Sequence, residues 1–162
     1  MNPFTRNFRF WTPVLFWLAV IVYESARLSS NVTGSYLWDV LRWLHVRLSA
    51  HGFSELHHLL RKAGHVTGYG ILCILAFRAW FHTFAGVFQK GLRWRCGALA
   101  LGMTLLTAIL DEWHQSFDPA RTSSVRDVGL DMAGGIAFLV LALFVLRLWR
   151  TDAMADMEAV SA

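Results

Sequence analysis

Ionisable side chains recur at helical spacing inside otherwise apolar segments at three places in this chain. The first is Lys62-Ala63-Gly64-His65-Val66-Thr67-Gly68-Tyr69, where spacings of three and four residues put Lys62, His65 and Tyr69 on one helical face. The second is Asp111-Glu112-Trp113-His114-Gln115, in which Asp111 and Gln115 share a face and Glu112 lies beside it. After Pro119 and Arg121, the third opens with Asp127 and Asp131, four apart, followed by Gly134 and Gly135. A guanidinium fork from Arg121, helped by Lys62, suits a phosphate or carboxylate. His65, Glu112 and Asp127 have the chemistry of general acids and bases. Tyr69 reads as a hydrogen-bond anchor for the carboxylates rather than a nucleophile, and Asp111, Gln115 and Asp131 as ligand-contacting groups. Together these groups offer what a lipid head-group site needs.

A structural reading of the same residues stands beside the chemical one. Arg121 can clamp Asp127 or Glu112 bidentately, and Pro119 stiffens the turn, so the cluster would tie two helices together without performing any reaction. A divalent ion bridging Glu112, Asp127 and Asp131 is a third possibility, because magnesium favours one or two carboxylates plus substrate oxygens. The motif has no recognised metal-ligand spacing and Arg121 can neutralise the same charges, so no cofactor is expected.

These groups must be positioned by helices in lipid. The chain has 162 residues, 56% hydrophobic and only 16% charged, with a mean hydropathy of +0.43; soluble domains carry about a quarter charged residues. Spans of about 20 residues are expected near 10–28, 64–84, 94–110 and 125–149, with Pro13 in the first turn of the first. The expectation is an all-α, four-helix transmembrane bundle in a single domain, 1–162. Between spans one and two, Leu37, Val40, Leu41, Leu44 and Leu48 recur at three and four, which predicts an amphipathic helix lying along the interface or packed on the end of the bundle. No cleavage site follows the first apolar run, so it is expected to be retained as a span.

Topology accounts for the basic residues better than nucleic acid does, because they are scattered between apolar runs and form no single stripe. An even number of spans puts both termini on one side, with eight basic residues there and seven opposite. The eight crowd the span ends, which favours cytoplasmic termini. Eight of the 11 acidic residues fall on the opposite, extracytoplasmic side with the polar cluster. Arg78 and Arg147 read as snorkelling side chains, and Glu24 and Arg27 as an interfacial pair. His45, His51, His57, His58 and His82 are expected in loops or at interfaces, and the tail after Arg150 as a solvated end. Gly64, Gly68, Gly129, Ala133 and Ala137 read as close-packing positions, and Cys73 and Cys96 as core thiols without disulfide or zinc spacing.

The string Lys62-x-x-His65-x-x-x-Tyr69, then Asp111-Glu112-x-x-Gln115-x-Phe117-x-Pro119-x-Arg121-x5-Asp127-x6-Gly134, resembles the VanZ-like family of small bacterial membrane proteins. The likeness covers span two and about the second half of the chain. It implies a four-span helical bundle in the cell envelope, at the bacterial inner (cytoplasmic) membrane, and a link to resistance to the glycopeptide teicoplanin; it implies no reaction. Two positions depart from the family pattern: Asp131 stands where Asn is usual, and Arg61 where an Asp commonly precedes the Lys. Two readings remain: an enzyme acting on a membrane lipid or lipid-linked envelope precursor, or a non-catalytic envelope protein whose polar cluster binds lipid or stabilises the fold.

Overall fold

The computed structural model describes residues 3–27, 30–85, 91–117 and 124–161. All regular structure among them is helical: α1 (Pro3–Arg27), α2 (Ser30–Trp43), α3 (Ala50–Phe84), α4 (Leu92–Gln115) and α5 (Val125–Ser161). Two of these, α4 over its whole length and α5 over Val125–Leu146, are long and apolar enough to cross a membrane.

The helix ends differ from the sequence expectation in informative ways. α1 begins at Pro3, so Pro13 lies inside it rather than in its first turn, and α1 forgoes the hydrogen bond an N–H at 13 would make. α3 starts well before the expected span, where the Ser49 side chain accepts from the Gly52 N–H at 3.1 Å and satisfies one of the helix's orphan donors. Its 35 residues at ~1.5 Å each exceed the thickness of a bilayer core by several turns. His51, His57 and His58 are therefore helical residues of α3. α4 continues through Asp111 and Glu112 to Gln115, which keeps those polar groups at fixed helical angles.

α3 is the central element, packed against α1, α4 and α5, whereas α2 among the described residues packs on α3. Tyr69, Leu72 and Ala79 meet Val14 and Ile21 of α1 and Ala108 of α4. Cys73, Ala76 and Phe77 meet Cys96 and Ala100 of α4 and Leu139 of α5, so both thiols are unpaired core residues. α3 and α5 approach closely at glycines. A Cβ on Gly134 would collide with the backbone of Val66, and one on Gly70 would strike the Phe138 ring. Gly64, Gly68 and Gly129, expected at tight contacts, have open space where a Cβ would project; the small-residue pattern marked the wrong positions because the crossing places other faces together.

At the far end of α3, Trp11 Nε1 donates to Thr83 Oγ1 at 3.1 Å, Phe10 stacks on His82, and the Arg78 guanidinium sits over the Phe10 ring. The outer faces of α1, α4 and α5 carry exposed Phe16, Leu106, Val140 and Phe144. A row of large apolar side chains on several helices at once is what lipid, rather than water, would solvate.

Candidate functional site

Four α3 side chains spaced four apart, His57, Arg61, His65 and Tyr69, form one ladder because an α-helix returns nearly to the same face every four residues. The ladder lines a cavity of about 280 Å³. α4 contributes Asp111 and Gln115, α1 contributes Glu24 and Ser25, and Ile21, Leu37 and Leu60 are the cavity's large apolar lining residues. Gly64 and Gly68 also line it; without side chains there, the recess stays open.

Hydrogen bonds fix the floor. The Tyr69 hydroxyl donates to Asp111 Oδ2 at 3.0 Å, and Gln115 Nε2 donates to the same oxygen at 3.0 Å. Gln115 also reaches Ser25 Oγ at 3.5 Å, so three helices are joined through one carboxylate and one amide. Behind this, His65 Nδ1 lies 3.2 Å from Asp131 Oδ1. Asp131 is fully buried, and its second oxygen has no hydrogen-bond partner among the described residues. With the proton on Nδ1, His65 donates to Asp131 and Nε2 is the ring nitrogen left for a ligand. The Tyr69 ring stacks against His65, and Trp17 Nε1 donates to the Gly68 carbonyl at 2.8 Å, holding α1 beside the recess.

His57 meets α2, one turn from Phe53, which packs edge-on against Trp38. The His57 Nε2 is 2.8 Å from Thr33 Oγ1, and its ring passes close to Gly34. Burial first, then the positive charges of Arg61 and His58, push the His57 imidazole below its ordinary value.

The expected site residues divide. His65, Tyr69, Asp111 and Gln115 meet around the cavity, with Asp131 directly behind His65. Lys62 is exposed and off the lining: it lies about 100° round the helix from Arg61, whose position puts it in the same row as His65. Glu112 is buried but turned away, accepting from the Ser124 N–H at 2.8 Å; Ser124 Oγ in turn accepts from the Arg126 N–H. That ties the end of α4 to the start of α5. Asp127 is half-buried in the first turn of α5, outside the lining. Arg121 and Pro119 fall outside the described residues. Among the described residues no three His, Cys, Asp or Glu side chains converge as metal ligands, so Glu112, Asp127 and Asp131 do not form the bridged cluster considered above.

Glu24, Ser25, Thr33, His57 and Arg61 were missed by the sequence reading as lining residues. The α3 pair was legible, since 57, 61, 65 and 69 form an unbroken four-residue series. The others come from α1 and α2, and nothing in a linear pattern shows which way those helices turn.

Helices with apolar outer faces around a polar recess at one end define a small helical membrane protein. The family model described as VanZ/LLP1 matches residues 10–147, and the chain belongs to that family. No curated protein and no solved structure matches it.

Proposed function

We propose that this chain is a multi-pass protein of the bacterial inner membrane whose cavity binds the anionic head group of a membrane lipid or a lipid-linked cell-envelope precursor. In this reading α1, α3, α4 and α5 supply four spans, the termini are cytoplasmic, and the cavity faces the extracytoplasmic surface. The observation that carries the proposal is the cavity itself, in which Arg61, His65, Tyr69, Asp111, Gln115 and Glu24 share one lining with the apolar Ile21, Leu37 and Leu60 of three helices. Polar groups that converge with apolar side chains on one recess, some with perturbed titration, are the pattern of a ligand site. Arg61 supplies charge and hydrogen-bond donors toward an anion, and Ile21, Leu37 and Leu60 in the lining suit the start of an acyl or prenyl chain.

His65 is the acid/base group in a catalytic version of this reading. Asp131 then acts as a positioning residue that holds the ring and selects its tautomer. A non-catalytic version is favoured by the hydrogen bonds among Tyr69, Asp111 and Gln115, which stitch helices together whether or not a ligand arrives. A role in teicoplanin resistance fits either version, because both place the protein among envelope precursors.

Mass spectrometry of lipids carried by purified wild-type, Arg61→Gln and His65→Gln proteins tests the reading. Loss of a specific anionic lipid from Arg61→Gln, with monodisperse protein, supports binding. An unchanged lipid complement in Arg61→Gln would overturn it. Accumulation of one lipid in His65→Gln and of its conversion product in wild type supports catalysis, while equal product levels refute it.

A further inference from the structure

A second recess lies at the corner where α2 turns into α3, away from the cavity already described. α2 ends in a paired-bond cap: Val46 N–H donates to the Leu41 carbonyl at 2.9 Å and His45 N–H to that of Arg42 at 3.1 Å. This arrangement requires a left-handed residue between helix and exit, a place usually taken by glycine. Here it is His45, with φ of 57°, so a bulky side chain is held where a Cβ is disfavoured. Strain of this kind is kept where the side chain has a use.

The groove beside this cap has a volume of about 740 Å³, within the size range of small-ligand sites. Its polar lining consists of Arg42, His45 and Arg47, with Leu41, Val46 and Trp38 providing apolar wall. Among the described residues no carboxylate lines it; Asp39 of α2 is off the lining. Next to the groove α2 presents Tyr36, Val40, Trp43 and Leu44, all exposed. A basic recess continuous with an exposed tryptophan-bearing apolar face matches an anionic head group attached to acyl chains.

We propose that the α2–α3 corner is a binding site for an anionic phospholipid of the surrounding leaflet, with Arg42 and Arg47 on the phosphate, His45 as a further donor, and the α2 face against the acyl chains. The site sets how deeply α2 sits in the interface and is independent of the ligand in the α3 cavity.

Native mass spectrometry of the full chain with added phosphatidylglycerol or phosphatidylcholine tests this. Wild type is expected to retain phosphatidylglycerol preferentially. The double variant Arg42→Gln/Arg47→Gln is expected to reduce that preference by about 20- to 30-fold, at about fivefold for each basic residue near an anionic surface. Arg93→Gln, an exposed arginine at the start of α4 that lines neither recess, keeps the wild-type preference. The difference between Arg93→Gln and the double variant reads the corner alone, whatever the α3 cavity holds, because the two linings share no residue. In wild type alone the preference falls as salt is raised toward physiological strength, which reads the charge contribution even if the double variant does not fold. Equal retention of both lipids, a double variant as selective as wild type, a preference indifferent to salt, or competition by inorganic phosphate as effective as by the lipid would each overturn the proposal.

Discussion

Replacing Gly64 with leucine separates a binding cavity from a merely structural polar cluster. Gly64 lines the recess, and a Cβ there would have nothing within 4 Å, so the new side chain meets no packed neighbour and extends into the recess beside His65. Helix energetics favour the change, since a glycine inside a helix is destabilising by roughly 0.5–1 kcal/mol relative to alanine and leucine is a good helix former. A ligand that fits the 280 Å³ space must then displace or compress the leucine. An overpacked site loses typically about 1–3 kcal/mol, or roughly 5- to 150-fold in affinity. The variant should thus melt at or above the wild-type temperature while co-purifying lipid falls by about that factor. Gly129→Leu is the control, because that position also has open space but lies off the cavity; it should keep the lipid. Undiminished lipid in a Gly64→Leu protein with a normal melt would show that the recess is not where the ligand sits.

Gly134→Ala places a Cβ against the Val66 backbone, which cannot rotate aside as a side chain could, so α3 and α5 must separate. A loss of about 1–3 kcal/mol is expected, together with a longer His65 to Asp131 distance; a variant as stable as wild type would refute the close approach. Glu112→Ala leaves the Ser124 N–H without its acceptor and should destabilise by about 1–3 kcal/mol, with faster hydrogen exchange at the start of α5 and, if Glu112 is only a tie between helices, an unchanged lipid complement. Acidification should loosen α2. The His57 value is lowered in the folded chain, so its contribution is complete above the ordinary histidine value near 6.5 and is lost as pH falls below it. Hydrogen exchange over residues 32–43 should quicken as pH falls below about 6.5 relative to His57→Gln; parallel profiles for the two proteins would refute this.

The α3 register shows where linear reading falls short by one residue. Lys62 and Arg61 are both cationic neighbours of His65 in sequence, and either spacing, three or four, is compatible with a shared face. The cavity takes Arg61 because the i, i+4 row from His57 to Tyr69 is the one turned toward α1 and α4. A similar ambiguity attends the acidic pairs. Asp127 and Asp131 are equivalent by spacing, yet Asp131 is buried against His65 while Asp127 remains in the first turn of α5. Glu112 was legible as a buried carboxylate in an apolar setting, but a group it accepts from is the backbone N–H of Ser124, just before α5, which no side-chain motif encodes.

Composition and periodicity determined the helical class, the membrane character, the approximate extent of the apolar segments and the concentration of polar groups at one end, because these follow from how much apolar surface a short chain carries and how it repeats along each helix. Family membership was legible from the Asp111 to Gly134 string. Tertiary structure alone decided which polar groups meet. The rotation of each helix about its axis and its axial register against α3 are set by contacts such as Gly134 on Val66 and Trp17 on Gly68, and a change of one residue in either would turn the His57 to Tyr69 ladder away from Asp111, Gln115 and Asp131.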